Sequence, residues 1–335
     1  MLNDPQRLNM ASRLLGKCFS NPYVRRLLKP LYRSMYHPFI NKLLRPFLGH
    51  MQFALGAMGI MTPAVGRLEF RLSDGKRFYM ESDGYDSIIN MLYWNGLDSF
   101  EGETIPLFNK LVSRSRSMNI IDIGANTGLY AITAAIENPS AKVYAFEPHP
   151  GIFKYLKNNI KTNSLDNITA EQSALTNHDG TIDLYIPAGM YGEIEHKIPT
   201  TSSTLKDFRR SSEIITVPAI KLDTYCKEKN IKDVDLLKID TEGTEHIIIE
   251  GGLETITRDQ PIIICEVLEG ITERFLHELL SPIGYEYYWL SGSGLVKQET
   301  ISGHSDKNMN YLFVTQRRKA ALLELEIERE IKLRR

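Results

Sequence analysis

Three cysteines in 335 residues, Cys18, Cys226 and Cys265, are too few and too scattered for a disulfide framework, and their setting reads as reduced and intracellular. No H-x-x-H, H-E-x-x-H or C-x-x-C occurs, which excludes the common zinc arrangements. Long apolar runs are scarce too. The one extended charge-free stretch, Pro46 to Gly66, is broken by His50, Gln52, Pro63 and four glycines, so it is a poor candidate for a span of about 20 apolar residues. Met1 to Ser20 carry Asp4 and Pro5 and no apolar core of signal-peptide length, so the expectation is a cytoplasmic protein. Net charge is also nearly absent: 40 Lys and Arg stand against 41 Asp and Glu, a sum of −1. That neutrality hides a segregation. Residues 1–50 hold nine basic residues and one acid, a charge of +8; residues 317–335 carry +3; the body between carries −12. An acidic body argues against nucleic acid as a partner, since phosphate binding needs a broad basic face.

The basic arm, 1–66, has prolines at 22, 30, 38 and 46, eight residues apart. Proline suits a first helical turn and breaks an interior, so the arm reads as short amphipathic helical pieces. It has three candidate neighbours: the catalytic body, a second subunit in a homodimer, or a membrane surface met peripherally. Residues 67–112 read as a lead-in, with a β-hairpin turning at Asp74-Gly75 followed by helical spacing from Ser87 to Val112. From 113 to 316, apolar strands at 119–123, 142–146, 234–239 and 261–267 alternate with helical patterns at 128–137, 150–162, 244–257 and 271–281. Such alternation builds a mostly parallel α/β sheet covered on both faces, with antiparallel additions at 285–290 and 310–315. The insertion 180–220 reads as strand, polar loop, strand, and 317–335 as a charged helical tail.

The informative turn is N-I-I-D-I-G-A-N-T-G-L-Y, 119–130. A buried strand ends in Asp122, and Gly124 and Gly128 punctuate the turn into a helix, where parallel sheets bind their ligands. G-x-x-x-G is not a dinucleotide fingerprint, and the acid before the first glycine would repel a diphosphate but suits an ammonium. Glu147 ends the next strand, nineteen residues after Gly128, placed for the two hydroxyls of a ribose. An acid for an ammonium, glycines for close approach and a second acid for a diol together describe S-adenosylmethionine.

The stretches I-D-I-G-A-N-T-G-L-Y (121–130), Y-A-F-E-P-H-P (144–150), I-K-L-D-T-Y (220–225), D-L-L-K-I-D-T-E-G-T-E (235–245), G-G-L (251–253), P-I-I-I-C-E-V (261–267) and N-Y-L-F (310–313) resemble the FkbM-type family of S-adenosylmethionine-dependent methyltransferases. The resemblance covers about 85–316. It implies a Rossmann-like, seven-stranded class I methyltransferase sheet with helices on both faces, and methylation of a hydroxyl on a sugar, glycan or other small metabolite. It places Asp122, Gly124, Asn126 and Gly128 at the methionine end, Glu147 at the ribose, and Ser173 and Ala174 near the adenine. His149, after F-E-P, departs from the family pattern and reads as a cap for the next helix.

The segment 234–246 delivers Lys238, Asp240, Glu242, Glu245 and His246 at the carboxyl end of a core strand. Asp240 and Glu242 are the first candidates for holding the acceptor hydroxyl and taking its proton. His246, four residues after Glu242, is an alternative base if both share a helix face, and Lys238 is expected to pair with Asp240 or Glu266. Asp240, Glu242 and Glu266 are a conceivable oxygen-ligand set for a divalent metal. The acceptor pocket is expected to draw on Tyr85, Glu103, Tyr191, Ser202 and Ser203. Two other classes remain open at this level: a nicotinamide-dependent sugar oxidoreductase, disfavoured by the missing glycine, and a non-catalytic, membrane-recruited assembly protein that keeps the fold.

Overall fold

The computed structural model describes residues 34–46, 63–97, 101–113, 117–187, 203–204, 211–292, 294–304 and 308–323. The chain divides into two compact units, Met1–Phe70 with Tyr79–Phe100, and Arg71–Phe78 with Glu101–Arg335.

In the first unit, a helical segment at 38–46 is held by the buried Asn41 amide, which donates to the carbonyls of Met35 at 3.1 Å and Pro63 at 2.9 Å. Strands β1 (Val65–Arg71) and β2 (Arg77–Asp83) form the hairpin expected from their alternation, with Leu68, Phe70, Phe78 and Met80 buried. Helix α1 (Ser87–Asn95) starts at Asp86, whose carboxylate accepts the Ile89 amide at 2.9 Å, and stops at Gly96. Most of the basic arm lies outside the described residues.

The second unit runs α2 (Thr104–Ser113), β3 (Asn119–Ile123), α3 (Leu129–Glu137), β4 (Lys142–Phe146), α4 (Pro150–Thr162) and β5 (Ile168–Glu171). Next come β6 (Ala174–Thr176), β7 (Gly180–Pro187), β8 (Ser211–Lys221), α5 (Leu222–Glu228) and β9 (Val234–Ile239). It ends with α6 (Glu245–Gly251), α7 (Leu253–Asp259), β10 (Ile262–Glu266), α8 (Glu273–Leu280), β11 (Tyr285–Ser291), β12 (Gly294–Gln298), β13 (Asn310–Thr315) and α9 (Gln316–Leu323). One sheet has the order β12-β11-β13-β10-β9-β3-β4-β5. The five strands from β10 to β5 are parallel, and β13 enters antiparallel between β10 and β11. The seven strands implied by the resemblance are present, and β12 adds an eighth. It was missed because G-L-V-K-Q is short and half polar, and it pairs only with its sequence neighbour β11 at the sheet edge. β6, β8 and β7 make a separate three-stranded sheet, so the insertion 180–220 is a layer of its own.

Both faces of the main sheet are covered, which is why its strands read as unbroken apolar runs. Ile121, Ile123, Leu237, Ile239, Ile263, Cys265 and Phe313 point into one core with Leu222, Ile248, Ile256 and Leu276 from the helices. The alternating positions, Asp122, Lys238 and Glu266 among them, point to the other face, where Tyr130 of α3 lies. The helix expected over 244–257 is two helices. At the break, a Cβ on Gly251 would come within 2.0 Å of the Thr176 carbonyl oxygen on β6, and one on Gly252 within 2.7 Å of Leu222. The glycine pair buys a close approach at the cost of helix continuity. Among the described residues no helix is long and apolar enough to cross a membrane.

Candidate functional site

The carboxyl ends of β3, β4 and β9 are stitched together by their backbones. The Gly124 and Ala125 amides donate to the Phe146 carbonyl at 3.1 and 2.9 Å, and the Asp240 amide donates to Ile123 at 3.0 Å. Gly124 has φ +78°, and a Cβ there would lie 1.9 Å from the Asp240 carbonyl oxygen. Only glycine lets the first turn pass so close to the end of β9. Gly128, φ +101°, packs the start of α3 on Leu156 of α4. Asp122 is 1 % exposed and stands in register with Lys238. Among the described residues its Oδ2 has no partner. A buried carboxylate oxygen left unpartnered costs stability unless a ligand meets it.

Glu147 is equally buried but tethered: its two oxygens accept the Asn126 amide at 3.1 Å and the His149 amide at 2.8 Å. Asn126, with φ +50°, thus uses its backbone to fix the ribose candidate. His149 caps α4, its Nδ1 accepting the Ile152 amide at 3.3 Å. Burial pushes the Asp122 carboxyl up to about 7, against the pull of Lys238 and the Ala131 amide. Burial likewise pushes Glu147 up to about 7, against the His149 and Asn126 amides. Both acids therefore take up protons just below neutrality, and a ligand that needs them ionised must displace those protons. S-adenosylmethionine affinity is expected to fall as pH drops from 7 to 6, about fivefold for each carboxylate. Calorimetric titration at the two pH values checks this; a flat profile removes both acids from the site.

Lys238, 1 % exposed, is the hub of the next group. Its Nζ donates to Asp240 Oδ2 at 3.0 Å and to Asn310 Oδ1 at 3.4 Å, and lies 4.9 Å from the centroid of the Tyr130 ring. Burial opposes its charge, yet Asp240 and then Glu101 hold its proton more tightly than in an ordinary lysine. Lys238 therefore pairs with Asp240, as expected, and stays an ammonium, which makes it no base. The Tyr130 hydroxyl donates to Glu101, whose own carboxyl is pushed up by burial. Glu103 accepts from the Asn308 amide at 3.2 Å, and Asn308 accepts from the Asn310 backbone amide at 2.9 Å. Glu266 stands opposite Asn310 in register, and its Oε2 has no partner among the described residues.

Residues 241–245 form a tight loop, with Glu242 and Gly243 both at positive φ. The buried Glu245 starts α6 and accepts three donors, the Thr241 and Gly243 amides at 3.0 Å each and the Thr241 hydroxyl at 3.1 Å. Since Glu242 is left-handed and precedes α6, it shares no helix face with His246. The ring of His246 stacks on Phe275 at 4.9 Å instead, and burial lowers its affinity for a proton. The Ser203 hydroxyl, read as a substrate contact, donates to the Glu242 carbonyl at 2.9 Å, while its backbone bridges Tyr185. Ser203 is thus tied to the 240s loop. Ser173 lies between β5 and β6 and Ala174 begins β6, buried. Tyr85 belongs to the first unit, where its ring stacks on Tyr36 at 4.4 Å. Tyr191 and Ser202 lie outside the described residues. Glu101, Tyr130, Asn308 and Asn310 were not nominated from sequence; Tyr130 and Asn310 stand inside two of the quoted stretches, and a polar residue opening the otherwise buried N-Y-L-F was the available signal. Among the described residues no three His, Cys, Asp or Glu side chains come together as a metal site.

Residues 122–287 match the family model described as the methyltransferase FkbM domain. Residues 122–287 belong to the FkbM methyltransferase family. Among curated relatives, the chain is 29 % identical over 146 residues to the 2-O-methyltransferase NoeI of Sinorhizobium fredii, covering 42 % of the chain and 59 % of the relative. It is 24 % identical over 160 residues to the hexuronic acid methyltransferase AglP of Haloferax volcanii, covering 48 % and 60 %. It is 24 % identical over 152 residues to the 31-O-demethyl-FK506 methyltransferase FkbM of Streptomyces tacrolimicus, covering 39 % and 58 %. The chain therefore spans less than two thirds of the length of each of these relatives. The FkbM match holds Asp122, Glu147, Lys238, Asp240 and Glu266, whereas Glu101, Glu103 and Asn310 fall outside it.

Proposed function

We propose that the protein is an S-adenosylmethionine-dependent methyltransferase acting on a hydroxyl of a sugar, glycan or other small hydroxylated metabolite, with 113–316 as its catalytic domain. The observation that carries this is the pair of buried carboxylates flanking one glycine turn: Asp122 with a free oxygen, and Glu147 held in place by two amides. That donor set fits an ammonium and a ribose diol, and the relatives' names supply the hydroxyl. The bound cofactor supplies an electrophilic methyl group. This chain's part is then to place the acceptor oxygen and remove its proton. Asp240 serves as that base: it stands at the end of β9, partly exposed, and Lys238 holds one of its oxygens. Glu242 stands next to it on the 240s loop, and Ser203 fixes its backbone.

Asp122→Ala and Glu147→Ala are each expected to weaken cofactor binding at least about a hundredfold, the loss of a charged hydrogen-bonded pair. Calorimetry with S-adenosylmethionine measures it, and normal binding by both variants removes the site. Transfer of labelled methyl from the cofactor into a metabolite extract of the native host identifies the acceptor.

The arm, in this reading, rests on an anionic membrane surface. On the segment 38–46, Phe39 and Leu43 stand one turn apart, 71 % and 64 % exposed, beside exposed Lys42. Flotation with anionic vesicles should fall severalfold in F39S/L43S; unchanged flotation rules this surface out.

A further inference from the structure

The ammonium of Lys238 has three N–H donors, and three neighbours stand around it. Asp240 Oδ2 accepts at 3.0 Å, Asn310 Oδ1 accepts at 3.4 Å, and the centroid of the Tyr130 ring lies 4.9 Å away. Asn310, the first residue of β13, is 3 % exposed. Its side-chain oxygen faces a cation, so its NH2 group must face the other way. There Asn308 Oδ1 accepts that NH2 at 3.2 Å, and it also accepts the Asn310 backbone amide at 2.9 Å. The second side-chain amide is fixed in turn: the Asn308 NH2 donates to Glu103 Oε2 at 3.2 Å and to the Thr104 hydroxyl at 3.4 Å. The Asn308 backbone is held as well, its carbonyl accepting the Trp289 indole N–H at 2.7 Å.

One chain of hydrogen bonds thus joins Asp240, Lys238, Asn310, Asn308 and Glu103, with a carboxylate at each end. From Lys238 outward every donor points towards Glu103. Turning either amide over would set NH2 against the ammonium or an oxygen against the carboxylate, so each has one orientation. Glu103, Thr104, Asn308 and Asn310 all lie outside the 122–287 match, so the segments flanking the family domain supply this buttress. The Asp240 side chain is 28 % exposed, and among the described residues the bond from Lys238 to Oδ2 is the only one its carboxylate makes. A lysine stem is flexible, and Lys238 alone would hold Asp240 loosely. The second anchor at Asn310 removes that freedom. We propose that Asn310 and Asn308 are positioning residues for methyl transfer: through Lys238 they hold Asp240 Oδ2, and so aim Oδ1 at the acceptor hydroxyl whose proton it takes. The inference rests on the assignment of Asp240 as the base.

The test follows labelled methyl transfer from S-adenosylmethionine into an extract of the native host, with the full chain and varied amounts of extract. N310A should lower the rate at saturating extract about tenfold or more, the cost of a misplaced reacting group. The extract needed for half-maximal rate, and the calorimetric affinity for S-adenosylmethionine, should stay within about twofold. N310D keeps the side-chain shape and so guards against a variant that fails to fold. It loses the donor to Asn308 and offers the ammonium a second carboxylate, and it should be slowed at least about fivefold. In a D240N background N310A should cost less than about twofold, because its effect passes through Asp240. A normal rate in N310A or in N310D overturns the proposal. So does an equal loss from N310A with and without Asp240, which is what a merely structural role would give. If D240N itself transfers methyl normally, the choice of base fails and the positioning role falls with it; if the unaltered chain transfers none, the methyltransferase reading fails first.

Discussion

Asp240→Asn is expected to lower kcat by about 10²–10⁴-fold, the usual contribution of a positioned proton acceptor. Cofactor affinity should remain within about threefold, because Asp122 and Glu147 are untouched. The substitution keeps shape and one hydrogen bond to Lys238, now 3.0 Å from Asp240 Oδ2, but removes the charge. Leaving a buried ammonium without its partner costs about 3–5 kcal/mol when nothing replaces it. Here Asp122, Glu101 and Glu266 act on the same lysine, and burial pushes the carboxyl of each upward. The variant should therefore fold with a smaller loss, read from thermal unfolding. A variant that folds, binds cofactor and still transfers methyl at the normal rate would move the base to Glu242.

Gly124→Ala should be the most damaging small substitution in the chain. The new Cβ would lie 1.9 Å from a backbone oxygen, at φ +78°, and neither the end of β9 nor the turn can give way without breaking the hydrogen bonds that the Asp240 amide makes to Ile123 and the Gly124 and Ala125 amides make to Phe146. A destabilisation of at least about 3 kcal/mol is expected, with cofactor binding lost in whatever fraction folds. Gly128→Ala is the internal comparison. Its Cβ would meet only side-chain ends, Leu156 Cδ1 at 2.7 Å and Ile132 Cδ1 at 3.1 Å, so the left-handed strain dominates and the loss should be about 1–2 kcal/mol. Denaturant unfolding of the two variants separates backbone collision from side-chain crowding; equal losses would show that the close approach of β3 and β9 is not what Gly124 secures.

The candidate site was legible where its parts are close in sequence. Asp122 and Glu147 sit at the ends of consecutive parallel strands, and the turn between strand and helix has few solutions, so the spacing alone put both acids at one edge. Lys238 near the end of β9 and Asp240 just beyond it, two residues apart, share a face, and the ion pair follows. The His149 cap is equally local. His246 did not pair with Glu242 for the same kind of reason: helical spacing from Glu242 assumes a helix there, and the left-handed Glu242 and Gly243 lie before the helix, which begins at Glu245. The break at Gly251–Gly252 was hidden because its cause, the β6 backbone, lies 75 residues earlier at Thr176.

Composition and period determined the α/β sheet, the order of its elements in the chain, the glycine turn and the acids that border it, because each of these depends on neighbours within one strand or one turn. Only the tertiary structure decided that Glu101 meets Tyr130 across 29 residues, that Ser203 pins Glu242 across 39, and that Asn310 meets Lys238 across 72. Those meetings depend on the sheet order, which inserts β13 beside β10, and on α2 and α3 closing one face. Burial there turns a row of ordinary carboxylates into groups that hold protons near neutrality, a property of the fold's low-dielectric interior that no residue carries on its own.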